Sequence, residues 1–366
     1  MFSNIYAGRR VLITGHTGFK GTWLASWLLQ LGAEVGGLSN GIPSEPSNFE
    51  VLGLQARLKH YLGDVTDAAR VAEVMADFKP EIVFHLAAQA LVRRSYRDPA
   101  GTFATNAMGS LQVLESVRRT PSVRALVMIT SDKCYRNVEW IWGYRENDML
   151  GGDDPYSASK ACAELISHSY ITSFFQPAPG VAAVATARAG NVIGGGDWAE
   201  DRIVPDCVRS WSGGRPVQIR NPNATRPWQH VLEPLSGYLQ LGAALWERQC
   251  KVLGQAYNFG PDSTVNHPVS KLIEALATYW QGATWAYEQP AGAQQHEATL
   301  LKLCCDKALA DLAWRPTLSF AGTVQFTGEW YRHYYSGGGA GLYEIAQQQI
   351  GEYCRQAEQG GLAWTR

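Results

Sequence analysis

A glycine-punctuated loop near the start of the chain constrains its fold more than any other feature. The loop spans residues 15–21, GHTGFKG, and follows a short apolar run, Arg10 to Thr14. After it, from Gly21 to Leu31, bulky apolar residues recur at helical spacing. Glycines allow a tight turn and close backbone approach, and a helix N-terminus offers free N–H donors with partial positive charge. This order of strand, loop and helix predicts a pyrophosphate site; the alternative is a glycine-rich turn without a ligand.

The first half of the chain continues as alternating strands and helices. Strands are predicted at Ala33 to Leu38, Leu58 to Leu62, Ile82 to Ala87 and Ala125 to Thr130, and helices at Ala69 to Phe78 and Ala104 to Arg118. Alternation with apolar strands predicts an α/β fold with a doubly wound parallel Rossmann sheet. Beyond Arg188 the pattern loosens into glycines, prolines and irregular spacers. We therefore expect a second, smaller mixed α/β domain there.

Composition argues against several classes of protein. The formal net charge is −1, from 32 Lys and Arg against 33 Asp and Glu, so the basic excess of nucleic-acid-binding proteins is missing. No run of about eighteen apolar residues occurs, and residues 1–7 lack the core of a signal peptide, so we expect no membrane span and no export. Seven cysteines without Cys-x-x-Cys pairs indicate reduced thiols in the cytoplasm. We expect no metal site, since His296-Glu297 lacks further ligands at convincing spacing.

The end of the second predicted strand decides between NAD and NADP. An acidic residue there holds the ribose hydroxyls, whereas a basic residue would hold a 2'-phosphate. The chain offers Ser39 and Asn40, with no Lys or Arg from Val35 through Ala56, so NAD is favoured and the ribose ligand stays open. Asp64 lies where an adenine-contacting acid would fall, although it could instead cap the next helix. We expect an NAD-binding domain at 1–187, completed by a segment near 225–260, and a substrate domain mostly at 188–366, interleaved with it.

Tyr156 and Lys160 have the spacing of a pair in which the lysine could lower the pKa of the tyrosine. They lie four residues apart, on one face of a predicted helix that starts after Asp153-Asp154-Pro155. A tyrosine must lose its proton to take one from an alcohol, and its reference pKa of about 10 is too high for that at neutral pH. A nearby lysine cation and the positive nicotinamide of oxidised NAD would favour the phenolate. A plain surface pair is the alternative, which the upstream phosphate loop disfavours.

Ser131-Asp132-Lys133 stands at the carboxyl end of the strand predicted at Ala125 to Thr130. Ligands bind at the carboxyl ends of strands in open parallel sheets, so these side chains should enter the same cleft as Tyr156. The serine hydroxyl can bridge the phenol and a substrate hydroxyl, which completes a minimal set for oxidising an alcohol with NAD. Asp132 and Lys133 add an acid and a base that oxidation alone does not need. The sequence thus predicts five catalytic residues: Ser131, Asp132, Lys133, Tyr156 and Lys160.

Four segments, at 15–21, 131–135, 139–146 and 190–198, carry a family resemblance. On them the chain resembles the nucleotide-sugar 4,6-dehydratases of the extended short-chain dehydrogenase/reductase type, and among these the CDP-D-glucose 4,6-dehydratases. The resemblance implies conversion of CDP-glucose to CDP-4-keto-6-deoxy-D-glucose and water, toward the 3,6-dideoxyhexoses of O-antigen in lipopolysaccharide. It implies C4 oxidation by NAD, elimination across C5 and C6, and hydride return to C6.

One position departs from the better-known dTDP-glucose dehydratases, which carry Asp-Glu where this chain has Asp132-Lys133. The resemblance makes Asp132 the acid at C6 and Lys133 the base at C5. A lysine, with a reference pKa of about 10.4, needs burial or neighbouring positive charge to be neutral near pH 7. The alternative is that Lys133 only pairs with Asp132 or positions the substrate.

The resemblance also implies ligand contacts and assembly. Expected cofactor contacts are Gly15, Thr17, Gly18, Phe19, Gly21, Asp64, Val65, Leu86, Ala87, Ala88, Tyr156 and Lys160. Expected substrate contacts are Asn191, Arg202, Arg226 and His230, with Arg209, Arg215 and Arg220 as further candidates for the diphosphate. A homodimer or a dimer of dimers is expected through the helices near 104–118 and 156–170. There Ala158, Ala161 and Ala163 would permit close approach.

Two other functions stay open from the residues alone. A nucleotide-sugar 4-epimerase shares the phosphate loop, the serine and the Tyr/Lys pair, but needs neither a C5 base nor a C6 acid. A regulatory protein that senses a dinucleotide needs none of the serine, tyrosine and lysine together. Residue chemistry does not distinguish cytosine from thymine or uracil in the substrate.

Overall fold

The computed structural model describes residues 1–262, 265–287 and 300–366 of the chain. The strands are β1 (Arg10–Thr14), β2 (Glu34–Ser39), β3 (Lys59–Leu62), β4 (Ile82–His85), β5 (Ala125–Ile129), β6 (Ala183–Ala189), β7 (Val192–Ile193), β8 (Val217–Ile219), β9 (Thr225–Arg226), β10 (Gln229–His230), β11 (Ala256–Phe259), β12 (His267–Pro268) and β13 (Trp285–Tyr287). The helices are α1 (Phe19–Gln30), α2 (Asn48–Val51), α3 (Ala68–Phe78), α4 (Val92–Arg97), α5 (Pro99–Phe103), α6 (Gly109–Arg118), α7 (Pro155–Phe174), α8 (Ile203–Ser212), α9 (Leu232–Trp246), α10 (Val269–Ala277), α11 (Asp306–Leu312), α12 (Phe320–Gly337) and α13 (Leu342–Gln359). His296-Glu297 lies outside the described residues.

Seven strands form the main sheet, in the order β11-β6-β5-β4-β1-β2-β3. Every neighbouring pair in it is parallel. The strand order reverses at β1, where Val11 pairs with Val35 of β2 on one side and with Ile82 of β4 on the other. The predicted doubly wound parallel sheet is therefore confirmed, and its switch point lies at the carboxyl ends of β1 and β4.

Two apolar cores flank the sheet because alternate residues of each strand face opposite sides. Val11 and Ile13 of β1 join the core that α1 and α9 cover, whereas Leu12 joins the core under α3 and α6. Strands buried on both faces explain the continuous apolar runs of the sequence. Among the described helices, none is both long and apolar enough to cross a membrane.

The region beyond Arg188 supplies two kinds of structure. α9 packs on β5 and β6, and β11 pairs with β6 through Ala256 and Thr186. Three short strand pairs, β7 with β10, β8 with β13 and β9 with β12, stand apart from the main sheet. The chain thus returns to the sheet after leaving it, while the domain limits at 187 and 188 stay a prediction.

Two predicted elements differ locally from the structure. The helix expected at Ala104 to Arg118 begins with a π-helical turn, Ala104–Met108, before α6. The strand expected at Ile82 to Ala87 ends at His85, so Leu86 to Ala88 already belong to the loop above the sheet. Leu86 still donates its N–H to the carbonyl of Thr14 at 3.0 Å, so the chain leaves the sheet just beyond that bond.

Candidate active site

The loop at 15–21 lies directly at the switch point. Gly15 has a φ of +79°, and a Cβ on it would lie 2.7 Å from the backbone nitrogen of Ala87. A Cβ on Gly21 would lie 2.1 Å from the carbonyl oxygen of Gly15. α1 begins at Phe19, and its N-cap, Gly18, brings no side-chain acceptor. The first N–H groups of α1 are therefore available to an anion, a geometry that fits a dinucleotide pyrophosphate.

Asp64 is bonded to the end of β2. Its Oδ2 accepts from Asn40 Nδ2 at 2.8 Å, and its Oδ1 accepts from the N–H of Thr66 at 2.9 Å. The N-cap of α3 is Asp67, whose side chain accepts from the N–H groups of Ala69 and Arg70. The alternative role of Asp64 as a helix cap is therefore wrong. Asn40, held by Asp64, takes the position where an acidic ribose ligand usually stands.

Ser39, the other polar residue at the end of β2, is turned toward the phosphate loop. Its Oγ lies 2.9 Å from Nδ1 of His16 and accepts from the N–H of Thr17 at 3.4 Å. Nε2 of His16 lies 2.7 Å from Nδ1 of His60. Burial, followed by the charge of His60, lowers the pKa of His16 to about 3, and burial lowers the pKa of His60 as well. The pair is neutral at neutral pH and offers no cation to a 2'-phosphate.

Buried histidines also predict how stability depends on pH. Burial lowers the pKa of His16, His85 and His230 to about 3, against about 6.5 for an exposed ring. The stabilisation is full above pH 6.5 and is lost as the pH falls toward 3, by about 2 kcal/mol per ring at pH 5. Glu233 opposes this loss of stability. Burial raises its pKa to about 7, so the folded chain takes up a proton there as the pH falls, and this uptake stabilises the folded state.

The loss at the three rings, offset in part by Glu233, should make the free energy of unfolding about 4 kcal/mol lower at pH 5 than at pH 7.5. Urea unfolding at the two pH values measures this difference. Equal stability at both would contradict the neutral, buried state of the three rings.

Ser131, Asp132 and Tyr156 meet at the carboxyl end of β5. Ser131 caps a 3₁₀ turn, Asp132–Cys134, that packs against α7. Its Oγ donates to Oδ1 of Asp132 at 3.0 Å and accepts from the N–H of Lys133 at 3.2 Å. Burial raises the pKa of Tyr156 to about 12, against which a hydrogen bond with Ser131 acts. Ser131 therefore joins the phenol to the acid, as the convergence of motifs predicts.

α7 carries the Tyr/Lys pair on a well-defined helix start. Pro155 is its first residue, and the side chain of Asp154 accepts from the N–H of Ser157 at 3.0 Å. Tyr156 and Lys160 are both buried within it. Burial lowers the pKa of Lys160 to about 8, and the charge of Glu164, one turn further on, opposes this. The predicted helix and its start are confirmed.

Asp132 and Lys133 differ in environment. Asp132 is buried, and its Oδ2 lies 2.9 Å from where a Cβ on Gly190 would stand. Burial raises its pKa, although the Lys133 charge opposes this, so the carboxyl keeps a proton more readily, as a general acid requires. Lys133 is half-buried, with its backbone bonded to Ser131. The acid is thus buried, while the lysine side chain is partly exposed.

The other predicted cofactor residues surround the same point. Ala87 lies against Gly15, and its N–H donates to Oγ1 of Thr14 at 3.3 Å. Thr17 donates to the carbonyl of Gly41 at 2.7 Å. The remaining members, Phe19, Val65, Leu86 and Ala88, lie at the start of α1, after β3 and in the loop after β4. Their contacts with a cofactor stay predictions.

The predicted substrate residues fall into two groups. Asn191 follows Gly190, which lies against Asp132, and Arg202 is coupled electrostatically to Tyr156 while its Nη1 donates to Oδ2 of Asp197 at 2.8 Å. These two are close to the catalytic residues.

Arg226 and His230 are described by contacts with other residues. Arg226 is on β9 and donates to the carbonyl of Thr225 at 2.9 Å. His230 is fully buried, its ring centroid 6.0 Å from that of Trp23 and 5.5 Å from that of Phe326. Its Nδ1 accepts from the N–H of Leu232 at 3.3 Å. Contacts of both with a substrate stay predictions.

Sequence reasoning missed Lys20, which lies inside the phosphate loop. Its Nζ lies 3.5 Å from the hydroxyl of Tyr238, in the interior. Burial lowers the pKa of Lys20 to about 8, and the charge of Asp132 opposes this. The loop pattern fixes only glycines, so nothing in it distinguished a lysine that turns inward from one in solvent.

Asn106 was missed as well. It sits in the π-helical turn, where its Nδ2 donates to Oγ of Ser159 at 2.8 Å and its Oδ1 accepts from the N–H of Gln89 at 2.8 Å. Asn106 thereby ties the loop after β4 to α7. The helical spacing of the sequence carried no signal for this turn. Across the described ranges, no group of three His, Cys, Asp or Glu side chains could hold a metal ion.

The chain matches one family model and is similar to known dehydratases and epimerases. The family model described as GDP-mannose 4,6 dehydratase matches residues 12–327. The chain is 46% identical to a CDP-glucose 4,6-dehydratase of Salmonella typhimurium over 355 residues, which cover 96% of this chain and 97% of that protein. A UDP-glucose 4-epimerase of Thermus thermophilus, solved with NAD, is 26% identical with a TM-score of 0.72, covering 88% and 99% of the two chains.

The fold itself does not separate the two enzyme classes. A dTDP-glucose 4,6-dehydratase of Streptomyces venezuelae, solved with NAD and TYD bound, is 24% identical with a TM-score of 0.75, covering 91% and 99% of the two chains. The epimerase has a similar score of 0.72. Discrimination between them therefore rests on the side chains of the site.

Proposed function

This chain belongs to the GDP-mannose 4,6 dehydratase family, and we propose that within it the chain converts CDP-glucose to CDP-4-keto-6-deoxy-D-glucose and water with NAD. The observation that carries this proposal is the buried acid Asp132 bonded to Ser131 beside Tyr156. An epimerase has no use for a group that protonates a leaving hydroxyl. A regulatory protein that senses a dinucleotide would need none of Asp132, Ser131 and Tyr156.

The residues divide the reaction into two halves. Bound NAD+ supplies the oxidation at C4 and, in its reduced form, the reduction at C6. In the first half, the Tyr156 phenolate takes the proton of the C4 hydroxyl while Ser131 hydrogen-bonds to the oxygen that becomes a ketone. The buried Lys160 cation stabilises that phenolate. The ketone makes the C5 proton acidic and so prepares the second half.

In the second half, the C6–O bond breaks and a C5–C6 double bond forms. Lys133 takes the proton from C5, and Asp132 gives its carboxyl proton to the C6 hydroxyl, which leaves as water. The Lys133 ammonium, whose three protons exchange with water, then gives a proton to C5 when C6 is reduced, so C5 of the product carries a hydrogen from the solvent. Burial of Asp132 favours the protonated carboxyl that this step needs.

The dinucleotide site would hold the pyrophosphate over the N-terminus of α1, at Gly15, Gly18 and Gly21. Asn40, held by Asp64, would face the adenosine ribose. The neutral pair of His16 and His60 offers no positive charge to a 2'-phosphate. This arrangement supports NAD over NADP, since the second strand ends without a cation.

Gly18 provides a test of the dinucleotide site with little damage to the fold. A Cβ on it would lie 3.3 Å from the Gly15 carbonyl, with no closer neighbour. We expect Gly18→Ala to weaken NAD binding at least about tenfold, or about 1.4 kcal/mol, because the methyl group occupies the approach to α1. Isothermal titration calorimetry with NAD measures the dissociation constant of each variant. Gly322→Ala, where a Cβ meets Leu318 at 3.5 Å, is the matched control, and equal NAD affinity in both variants would contradict the site.

For the substrate, we assign the nearest contacts to Asn191 and Arg202, and keep Arg226 and His230 as further candidates. Cytosine follows from the relative that is 46% identical. Binding of CDP, dTDP and UDP, compared by calorimetry, tests the base, and CDP should bind most tightly. Incubation with CDP-glucose should yield a 4-keto sugar, read by its absorbance in alkali. CDP-galactose without a keto product would instead indicate the epimerase.

We also propose a homodimer that uses the outer face of α6 and α7. Leu165 is 57% exposed, Phe174 49% and Met108, at the end of the π-helical turn, 48%. The expectation that Ala161 and Ala163 permit close approach of a partner is wrong, because both are buried within this chain, whereas Ala158 is half-buried. Light scattering on Leu165→Asp should show monomers where the unaltered chain gives dimers. We place the enzyme in the cytoplasm, with a product used for O-antigen sugars.

A further inference from the structure

An ion pair lies buried behind the catalytic residues. The side chains of Glu164, on α7, and Arg188, on β6, are 3% and 4% exposed. Two hydrogen bonds join them, from Nε of Arg188 to Oε1 and from Nη2 to Oε2 of Glu164, both at 2.8 Å. Such a fork-to-fork pair has a fixed geometry as well as strength. The reaction as proposed makes no direct use of either residue.

Glu164 reaches the start of the acid/base segment, residues 131–134. Its Oε1 also accepts from the hydroxyl of Thr130, the residue directly before Ser131. Its Oε2 accepts from the hydroxyl of Thr186 at 3.1 Å. Glu164 stands one turn beyond Lys160 on α7, so a single helix carries both the Tyr/Lys pair and the anchor for Thr130.

Arg188 reaches the other end of the acid/base segment. Its Nη1 donates to the hydroxyl oxygen of Tyr135 at 2.7 Å and to the carbonyl of Glu146 at 2.8 Å. The guanidinium lies 4.9 Å from the centroid of the Tyr135 ring. The Tyr135 hydroxyl in turn donates to Oδ1 of Asn258 at 2.8 Å. The residue directly after the segment is therefore held as firmly as the residue before it.

Stability alone is a weak reason for such a pair, because packed apolar residues often replace a buried ion pair without loss. Its bonds instead converge on the two residues that flank the acid/base segment. We propose that Glu164 and Arg188 are positioning residues that clamp the acid/base segment against α7, and so align the elimination with the C4 oxidation. This inference rests on the proposed function. Its consequence is that loosening the clamp uncouples the two halves of the reaction.

Tyr135→Phe loosens the clamp most selectively, because it removes one hydroxyl and leaves the Glu164 charge near Lys160 unchanged. We expect elimination, measured as product formation and as solvent exchange at C5, to slow by about 10- to 100-fold, a typical cost of small misplacement. Oxidation at C4, measured in a single turnover by the absorbance of reduced nicotinamide, should slow less than about threefold. Reduced nicotinamide should then accumulate. Equal slowing of both halves, or of neither, would overturn the clamp.

A second variant covers the case in which charge, rather than the hydroxyl, dominates. Glu164→Gln with Arg188→Met removes both charges, leaves no unpaired buried ion, and should show the same imbalance. The matched control is Glu233→Gln, which alters a buried glutamate that accepts from the N–H groups of Thr317 and Leu318. It should leave the ratio of oxidation to elimination unchanged. A shifted ratio in the control would mean that any buried charge change uncouples the halves, which would overturn the clamp.

A readout without substrate separates the clamp from the proposed function. Hydrogen exchange by mass spectrometry should show faster exchange of the backbone amides at 131–135 in Tyr135→Phe, with α7 peptides unchanged. If the unaltered enzyme leaves CDP-glucose intact, the proposed function is wrong, and this exchange still decides the clamp. Unchanged exchange at 131–135 would reject it.

Discussion

Replacing Tyr156 with phenylalanine is expected to slow C4 oxidation by about 10³-fold, the middle of the range for loss of a positioned acid–base group. The ring keeps its place in α7, so the loss reports on the hydroxyl alone. Because burial raises the pKa of the unliganded phenol to about 12, oxidation in the unaltered enzyme should speed up as the pH rises and the phenolate forms. A single turnover followed by the absorbance of reduced nicotinamide measures the step.

Tyr257→Phe is the matched control for that variant. Tyr257 is a buried tyrosine of β11 whose hydroxyl donates to Oδ2 of Asp311 at 3.0 Å, away from the catalytic residues. The control should oxidise C4 at the normal rate. Loss of less than about tenfold in Tyr156→Phe would remove the phenol from the role of base.

Replacing Lys133 with alanine should keep C4 oxidation and lose solvent exchange at C5, by at least about 10²-fold. The physical reason is that the ketone still forms through Tyr156, while no group then takes the C5 proton. Asp132→Asn should differ, because C5 exchange continues and only the loss of water slows. Incubation in deuterated water, with product and residual substrate read by mass spectrometry, measures both.

A Lys20 variant should be measured beside Lys133→Ala in the same exchange experiment. Lys20 is the other lysine coupled to Asp132, and burial lowers its pKa to about 8, so a neutral amine is accessible near neutral pH. Normal exchange in Lys133→Ala would remove Lys133 from the role of base. Loss of exchange in Lys20→Met, with Lys133 intact, would transfer that role to Lys20.

Much of the fold could be predicted from the sequence, because its signals act between residues close together in the chain. The glycine loop, the proline after Asp154 and the apolar strands each act within a few residues, so β1, α1 and the start of α7 were predicted within about two residues. The parallel order followed from strand and helix alternation. The π-helical turn at Ala104–Met108 was not readable, because its apolar spacing continues that of α6.

Less of the site could be predicted from the sequence, because contacts between residues far apart in the chain build much of it. Lys20 and Tyr238 are 218 positions apart in the chain, and Arg188 and Tyr135 are 53 positions apart. No local sequence pattern therefore predicts these two contacts. The direction of a helical face is also decided by packing, which is why Ala161 and Ala163 are interior rather than available to a partner. Ser131, Tyr156 and Lys160 were predictable because motifs carry them; their supporting residues were not.

Transfer of the C4 hydrogen tests the central claim most directly. CDP-glucose labelled with deuterium at C4 should give a 4-keto-6-deoxy product that carries the deuterium at C6, since the hydrogen removed from C4 returns to C6 in the same turnover. Mass spectrometry with NMR of the product locates the label. Deuterium retained at C4 of CDP-galactose, with no keto product, would contradict the assignment and indicate a 4-epimerase.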